Sequence, residues 1–314
     1  MYVLGFDIGG TKCAVVTAQV DGADITLLKK EKCPTDLTIS PERMIEKLIV
    51  MADSILDRAP DAIGISCGGP LDSKKGIIMG PPNLKGWDNV AIVDIIEARY
   101  GIRPRLQNDA NACALAEWRF GAGENCENMV FLTFGTGLGA GLVLGGRLYE
   151  GTNGNAGEVG HVRLAPQGPV GYGKAGSFEG FCSGGGIAQL GYSMATEAVK
   201  NGKNPSYFKD GDTLADITAA RIAMAANEGD ETALAVYAES GRYLGRGLSV
   251  LIDILNPERI VIGSIFARSG DLLWKYAKEE IDKEALGVSA LCCEVLPARL
   301  GENIGDYAAI ATAL

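Results

Sequence analysis

A carboxylate able to accept a proton stands in residues 108–112, with the sequence NDANA, between two Gly-rich stretches. Residues 102–107 before it favour a strand, and Pro104 places that strand at a sheet edge or begins it. Residues 113–118 after it favour a helix. A carboxylate at this junction faces the crevice where open α/β sheets bind ligands. We therefore predict that Asp109 takes the proton of a substrate hydroxyl; the alternative is that it caps the helix, as Asp often does.

The first Gly-rich turn is the stretch of residues 7–12 (DIGGTK), and it joins two predicted strands. Gly9 and Gly10 let the backbone approach a phosphate, and the N–H groups of such a turn form a concave anion site. Thr11 adds a hydroxyl donor and Lys12 a positive charge. A carboxylate beside phosphates requires a cation between them, so Asp7 implies Mg²⁺. The spacing is not that of a P-loop, and Gly-Gly pairs also form ordinary hairpins.

The second Gly-rich turn, residues 135–139, repeats the pattern of strand, turn and strand seen at the start of the chain. Gly135, Thr136 and Gly137 are its candidates for phosphate contact. We interpret the repeat as an internal duplication that produces two related α/β halves with a cleft between them. Two such turns facing each other across a cleft suit the polyphosphate of a nucleotide.

Periodicity and turn residues predict the other elements. Strands are expected at 2–8, 13–20, 25–32, 62–66, 102–107, 130–134, 140–144, 260–263 and 291–296. Helices are expected at 41–56, 90–100, 113–118, 186–200, 213–228, 231–255, 271–283 and 304–314. The Gly-rich residues 151–186 are too long for a passive connection and are expected to be functional.

The totals exclude several classes of protein. A chain of 314 residues fits about two domains, and 47% hydrophobic residues exclude a disordered chain. A net charge of −10 without a basic run argues against a nucleic-acid partner. The eight cysteines show no CxxC, Met1 leads directly into a strand, and a reduced, cytoplasmic protein is expected. The uncharged residues 129–146 hold six glycines, so a hairpin is expected there and not a membrane helix.

These motifs resemble the ROK family of sugar kinases, within the actin-like, ribonuclease-H-like ATPase superfamily. The resemblance covers the whole chain in order, and five segments carry it: Asp7 to Lys12, Pro82 to Trp87, Asn108-Asp109, the glycine run from Phe134 to His161, and within it Gly157 to His161. It implies an α/β fold of two ribonuclease-H-like domains with a cleft between them. The smaller domain is expected at 1–118 plus 300–314, and the larger at 119–299.

The resemblance also implies the activity and its residues. The expected reaction is the phosphorylation of a hexose at its 6-hydroxyl by ATP with Mg²⁺, and the domains are expected to close on the sugar. Asp109 resembles the general base, and the backbone at Gly69 passes close to the sugar. Gly263 resembles the turn on the adenosine side, with Ser264 where a second glycine is more usual. The residues that resemble hydroxyl-binding groups are Asn83, Asn108, Glu158, His161 and Glu179.

One departure concerns zinc. The family usually carries a CxCGxxGC pattern that binds structural zinc together with His161. Here Val170, Tyr172 and Ser177 occupy the cysteine positions. Zinc requires four N or S ligands, which one His cannot supply, so we expect no zinc here. Packing is expected to hold the 162–180 loop instead, with Val170, Tyr172 and Phe178 as candidates.

Other interpretations stay open at this point. ROK relatives include repressors, so a sugar-sensing regulatory protein is an alternative, although Met1 directly precedes the first strand and leaves no room for a winged helix. An N-acetylhexosamine kinase is another, whereas the Glu158/His161 pair disfavours a kinase for acyl or carboxylate groups. The sequence does not choose among glucose, mannose, fructose and an N-acetylhexosamine. We expect a homodimer or homotetramer, and we expect Asp253 and Asp306 to be ordinary helix-associated carboxylates.

Overall fold

The computed structural model describes residues 1–314, which form thirteen β-strands and ten α-helices. The strands are β1 (Tyr2–Ile8), β2 (Lys12–Asp21), β3 (Asp24–Pro34), β4 (Ala62–Cys67), β5 (Leu71–Asp72), β6 (Ile77–Ile78), β7 (Arg105–Asn108), β8 (Met129–Phe134), β9 (Leu138–Val143), β10 (Val170–Gly171), β11 (Lys174–Ala175), β12 (Arg259–Ile262) and β13 (Glu294–Pro297). The helices are α1 (Pro41–Ile55), α2 (Ile92–Tyr100), α3 (Asp109–Phe120), α4 (Phe178–Phe181), α5 (Gly184–Lys200), α6 (Ala219–Asn227), α7 (Glu231–Leu255), α8 (Ile265–Glu284), α9 (Gly287–Ala290) and α10 (Ile304–Thr312).

The chain forms two units of similar length. The first comprises Met1–Glu127, Gly141–Ala156 and Arg299–Leu314, and the second comprises Asn128–Ala140 and Gly157–Ala298. The first unit therefore includes 119–127 and 141–156, which lie beyond the expected boundary at residue 118. The packing of Gly141 on α3 accounts for the second of these segments, because a Cβ there would lie 2.4 Å from the Cβ of Ala114.

The first unit is a five-stranded sheet in the order β3-β2-β1-β4-β7. β1 pairs antiparallel with β2 and parallel with β4, which in turn pairs parallel with β7. One hydrophobic core packs α1 and α2 on one face, and a second core packs α3 and α10 on the other. Gly5 and Gly64 let α10 contact the sheet closely, since a Cβ on Gly64 would lie 2.1 Å from the carbonyl oxygen of Ala309.

The second unit is built on the sheet β13-β12-β8-β9. β12 pairs parallel with both β8 and β13. This order repeats β7-β4-β1-β2 of the first sheet, as an internal duplication predicts. In both sheets a glycine turn therefore joins the first strand of the repeat to its neighbour. Gly241 and Gly245 of α7 let α8 approach closely.

Most elements lie where the sequence predicts them, with exceptions at their ends. α8 begins at Ile265, six residues before the expected start, and non-helical dihedral angles at Ser269 kink it. α6 begins at Ala219 because a separate 3₁₀ turn, Leu214–Asp216, precedes it. β7 is an edge strand that begins directly after Pro104, as predicted. Residues 129–146 form β8, a turn and β9. None of the helices combines the length and apolar character that crossing a bilayer demands.

Candidate active site

In the first unit, the first glycine turn joins β1 to β2, and Gly9 N–H donates to the carbonyl of Lys12 at 3.1 Å. Gly10 packs directly on the loop of Asn83, because a Cβ there would lie 2.5 Å from both the Cβ and the carbonyl oxygen of Asn83. The turn expected to bind phosphate and the loop expected to bind sugar are therefore in contact. Thr11 and Lys12 are exposed at the end of the turn.

The Asp7 carboxylate lies near two other carboxylates. Burial, together with the carboxylates of Asp306 and Asp109, raises its pKa to about 6, against a smaller opposite effect of Lys12 and Lys30. The start of α10 lies against it, since a Cβ on Gly305 would lie 2.6 Å from Asp7 Oδ2. Excess negative charge surrounds this partly buried carboxylate. A bound divalent cation would compensate that charge and lower the free-energy cost of ionising Asp7.

Asp306 is not the ordinary helix-associated carboxylate that the sequence predicts. It is buried at 3% exposure, and its Oδ2 pairs with Lys30 Nζ at 2.6 Å. Its negative charge also acts on Asp7. The sequence offered no signal for this role, because 276 residues separate Asp306 from Lys30.

The helix cap and the candidate proton acceptor are two different residues, Asn108 and Asp109. Asn108 is the N-cap of α3, and its Oδ1 accepts from Asn111 N–H at 2.8 Å. Asp109 is the first residue of the helix and accepts from Ala110 N–H at 2.9 Å through Oδ1. Asp109 is exposed by surface area, yet the protein atoms around its carboxylate displace enough water to raise its pKa. The Asp109 carboxylate is therefore not the cap, and its Oδ2 accepts no hydrogen bond from another residue.

Gly69 and Asn83 border this region from the loops between β4 and α2. A Cβ on Gly69 would lie 3.9 Å from the Cβ of Asn108, so the backbone passes beside Asn108. Asn83 is exposed, whereas Leu84 and Trp87, which follow it, are buried and anchor its loop in the core.

A small polar network that sequence reasoning missed lies next to Asn108. Glu150 Oε1 accepts from Ser73 Oγ at 2.7 Å and from Gln107 Nε2 at 2.9 Å. Gln107 in turn accepts from Asn111 Nδ2 at 3.2 Å. The network connects the β5 loop, the end of β7 and the segment after β9. Its members are far apart in sequence, which is why no motif revealed them.

In the second unit, the second glycine turn is held by Glu179. Gly135 N–H donates to Gly137 O at 3.0 Å, and Leu138 N–H donates to Glu179 Oε2 at 3.0 Å. Gly137 needs to be glycine for this contact, because a Cβ there would lie 2.8 Å from Glu179 Oε2. A residue expected to bind sugar thus contacts the turn expected to bind phosphate.

Glu158 and His161 lie on a 3₁₀ turn, Val159–His161, that packs against the same region. Gly160 allows this approach, since a Cβ there would lie 2.1 Å from Leu138 O and 3.2 Å from Glu179 Cβ. Glu158 and His161 themselves are exposed. The second unit therefore brings Glu158, His161 and Glu179 to one short stretch beside the second glycine turn.

A cavity of about 720 Å³, called here the unit-2 cavity, adjoins that turn. Gly135, Thr136 and Ser264 line this cavity. Gly263 is buried and is not among the lining residues. Ser264 adopts a φ of 53°, a conformation that glycine adopts more readily. Its lining also includes residues that the sequence did not single out: Gly184, Gly185, Ala188, Gln189, Leu214, Ile217, Thr218, Ala219, Ala220, Ile265 and Arg268. The N-terminal ends of α5, α6 and α8 contribute most of these, and such ends favour anionic or electron-rich ligands.

The 162–180 loop does not offer a zinc site. Val170 has no donor atom, and the buried Ser177 Oγ caps α4 by accepting from Gly180 N–H at 3.1 Å. No group of three or more His, Cys, Asp and Glu side chains in the chain is arranged to hold a metal ion. The expected packing is correct for Phe178, which is buried against Gly247, and wrong for Val170 and Tyr172, which are 47% and 79% exposed. Hydrogen bonds hold the loop where those two side chains do not.

Comparison with known proteins identifies the relatives of this chain. The ROK family profile matches residues 3–313. A glucokinase from Halalkalibacterium halodurans is 33% identical over 97% of this chain and 92% of its own. The structure of a ROK family glucokinase from Streptomyces griseus, in complex with glucose and AMPPNP, is 29% identical and superposes with a TM-score of 0.78 over 100% of this chain and 99% of its own.

Regulators also belong to these relatives. The structure of a ROK family transcriptional regulator, a homologue of the E. coli MLC protein, superposes with a TM-score of 0.83 at 26% identity. It covers 99% of this chain and 77% of the regulator. Together with the duplicated sheets and the two glycine turns, the match over nearly the whole length shows that this chain belongs to the ROK family and has its actin-like ATPase fold.

Proposed function

We propose that the protein transfers the γ-phosphoryl group of ATP to a hexose, at the 6-hydroxyl. The observation that carries the proposal is the state of Asp109. Asn108 caps α3, so no other residue donates a hydrogen bond to Asp109 Oδ2, and desolvation by the surrounding protein raises the pKa of the exposed Asp109 carboxylate. A general base works best when its pKa approaches the working pH.

The second unit supports the nucleotide part of the proposal. The unit-2 cavity is large enough for an adenosine group and is lined by apolar side chains and helix N-terminal ends. The second glycine turn begins at its edge, so we assign the phosphates to Gly135, Thr136 and Gly137. We also assign Gly9, Gly10, Thr11 and Lys12 of the first glycine turn to phosphate, because they offer N–H groups, a hydroxyl and a cation.

A divalent cation fits the first unit. Mg²⁺ uses oxygen ligands and is usually held by one or two carboxylates together with substrate phosphates. Asp7 is the carboxylate that would hold it, because its electronegative surroundings leave a negative charge to be compensated. When bound, Mg²⁺ supplies neutralisation of phosphate charge.

We assign the hydroxyl groups of the sugar to five polar side chains, those of Asn83, Asn108, Glu158, His161 and Glu179. Carboxylates and amides accept or bridge sugar hydroxyls, and histidine can donate or accept. Gly69 lets the backbone pass close to the ring.

The residues then perform the following steps. The 6-hydroxyl donates its proton to Asp109 as its oxygen forms a bond to the γ-phosphorus. The bond from that phosphorus to the bridging oxygen breaks, and the electron pair leaves with ADP. The backbone N–H groups of the glycine turns and Lys12 stabilise the negative charge on the transferring group. Proton acceptance of this kind typically contributes about 10² to 10⁴ in rate.

The test is a coupled assay of ADP release over glucose, mannose, fructose and the N-acetylhexosamines, with Asp109→Asn as the matched control. Sugar-dependent ADP release by the wild type, lost in the variant, is the expected result, and the preferred sugar distinguishes a glucokinase from an N-acetylhexosamine kinase. Sugar binding without ADP release would favour a sugar-sensing regulator, the second candidate. The similarity to a ROK transcriptional regulator is the observation that favours that candidate.

A further inference from the structure

The 157–181 segment carries Glu158, His161 and Glu179, and its side chains at Val170, Tyr172 and Ser177 do not form a zinc site. Its hairpin, β10 and β11, has only two residues in each strand. Two residues per strand cannot stabilise a hairpin alone, since even longer isolated hairpins are marginal in water. Backbone bonds of Gly176 with Leu164, Ala165 and Pro169 support it, and side chains that bind the hairpin add to them.

Gln189 of α5 binds the hairpin at two points. Its Oε1 accepts from Val170 N–H at 2.9 Å, and its Nε2 donates to Val170 O at 2.9 Å. The amide thus satisfies both backbone groups of Val170 as a neighbouring strand would. A third bond, from Nε2 to Gly185 O at 3.3 Å, fixes the side chain on its own helix.

The constraint on Val170 reaches Glu179 through one residue. Gly171 follows Val170 and packs directly on Glu179, since a Cβ there would lie 2.8 Å from Glu179 Cβ and 2.6 Å from Gly180 N. The first turn of α5 also lies against α4, because a Cβ on Gly186 would lie 2.0 Å from Gly180 O. Gln189 therefore closes a rigid layer of α5, β10 and α4 around the base of Glu179.

The other strand of the hairpin holds His161. Lys174 Nζ donates to His161 O at 2.6 Å, and Arg163 donates to Ala175 O at 2.6 Å. The ring of Tyr172 meets the ring of His161 edge to face, with centroids 6.1 Å apart. Displacement of the hairpin would thus move both His161 and Glu179.

Gln189 also lines the unit-2 cavity, together with Gly135, Thr136 and Gly185. One side chain therefore contacts the cavity assigned to the nucleotide and holds the segment assigned to the sugar. We propose that Gln189 is a positioning residue that fixes this segment without metal and makes its sugar affinity depend on occupation of the cavity. The inference rests on the proposed function for the identity of the two ligands.

The test compares Gln189→Met and Gln189→Glu with the wild type. Methionine keeps the length of the side chain and removes all three hydrogen bonds. Glutamate keeps the acceptor for Val170 N–H but places a carboxylate at Val170 O. Glu197→Gln, an exposed substitution on the same helix, is the control. Amide hydrogen exchange of peptides covering 162–180 and calorimetric titration with glucose, with and without AMPPNP, are measured on each protein.

The expected result is exchange about tenfold faster in both Gln189 variants, with the control unchanged. In the wild type, AMPPNP is expected to tighten glucose binding severalfold, and in Gln189→Met this ratio is expected to fall to about one. A purely structural role would weaken both ligands but leave the ratio intact. Unchanged exchange, or an unchanged ratio in both variants, would overturn the proposal. If the wild type phosphorylates no sugar, the proposed function fails, whereas the exchange measurement still decides whether Gln189 holds the hairpin.

Discussion

Glu179 Oε2 accepts a hydrogen bond from Leu138 N–H at 3.0 Å, so a carboxylate assigned to the sugar fixes the turn assigned to phosphate. The other oxygen, Oε1, remains for a hydroxyl. We therefore expect Glu179→Ala to weaken both ligands, at roughly 1 to 3 kcal/mol for a buried group left unpaired. Glu179→Gln, which keeps an acceptor oxygen, should retain most of the nucleotide affinity. Titration of each variant with AMPPNP and glucose measures both effects, and a loss confined to glucose would show that the turn does not depend on Glu179.

Glu158 and His161 should behave differently, because neither contacts the second glycine turn through its side chain. Both are exposed on the 3₁₀ turn that packs near Leu138. Glu158→Ala and His161→Ala should each weaken sugar binding by about five- to 100-fold, the loss of one or two hydroxyl contacts. AMPPNP affinity, measured without sugar, should change little. An equal fall in both affinities would indicate that this turn maintains the fold and does not recognise the sugar.

Asp109→Asn tests the proton acceptor. Asparagine still accepts from Ala110 N–H through its amide oxygen, so the start of α3 should be preserved. We expect glucose and AMPPNP affinities close to those of the wild type and a kcat at least about 100-fold lower. Asn108→Ala, which removes the true N-cap, should instead lower the melting temperature by a few degrees. Turnover near the wild-type value in Asp109→Asn would assign the proton to another group.

The sequence predicted the two glycine turns and the Asn108-Asp109 pair because each is formed by residues that are neighbours in the chain. Around Gly9 and around Gly135, the alternation of apolar residues indicates the two strands and the glycines indicate the turn between them. Asn108 and Asp109 could be recognised for the same reason, although only the structure separates the cap from the free carboxylate.

Features formed by residues far apart in the chain could not be predicted. The pairing of Asp306 with Lys30 joins the last helix to the third strand, and the Gln189 contacts join a helix to a hairpin 19 residues earlier. The burial of Val170 was wrongly expected because an apolar side chain in a loop suggests packing, whereas its backbone is what α5 binds. Such pairings depend on the register of packed elements, for which a single sequence carries no signal.

The loop formed by residues 162–180 should keep its structure without zinc. The purified protein should contain no stoichiometric zinc, and chelators should leave its melting temperature unchanged, because hydrogen bonds to Val170 and His161 do what a metal would do. Elemental analysis and thermal unfolding with and without EDTA measure this. One zinc per chain would contradict it and would require donors other than Val170, Tyr172 and Ser177.

The stability of the protein should depend on pH through the Asp7 carboxyl group. Its pKa is raised from 3.8 to about 6, so the folded protein binds this proton more tightly than the unfolded chain does. Ionised Asp7 therefore destabilises the fold above pH 6, and the effect disappears below about pH 4, where both states are protonated. Asp7→Asn should accordingly raise the free energy of unfolding at pH 8 by up to about 3 kcal/mol and change it little at pH 4.

Asp7 should contribute to the acid limb of activity, because only ionised Asp7 can hold the cation. kcat/KM for ATP reports the free protein and should fall below about pH 6. Asp306→Asn removes a negative charge that raises the pKa of Asp7, so it should move this limb to lower pH, while Asp253→Asn, on α7 of the other unit, should not. An acid limb that stays in place in Asp306→Asn would show that another group controls it. A stability gain in Asp7→Asn that is as large at pH 4 as at pH 8 would show that packing, and not the buried charge, is responsible.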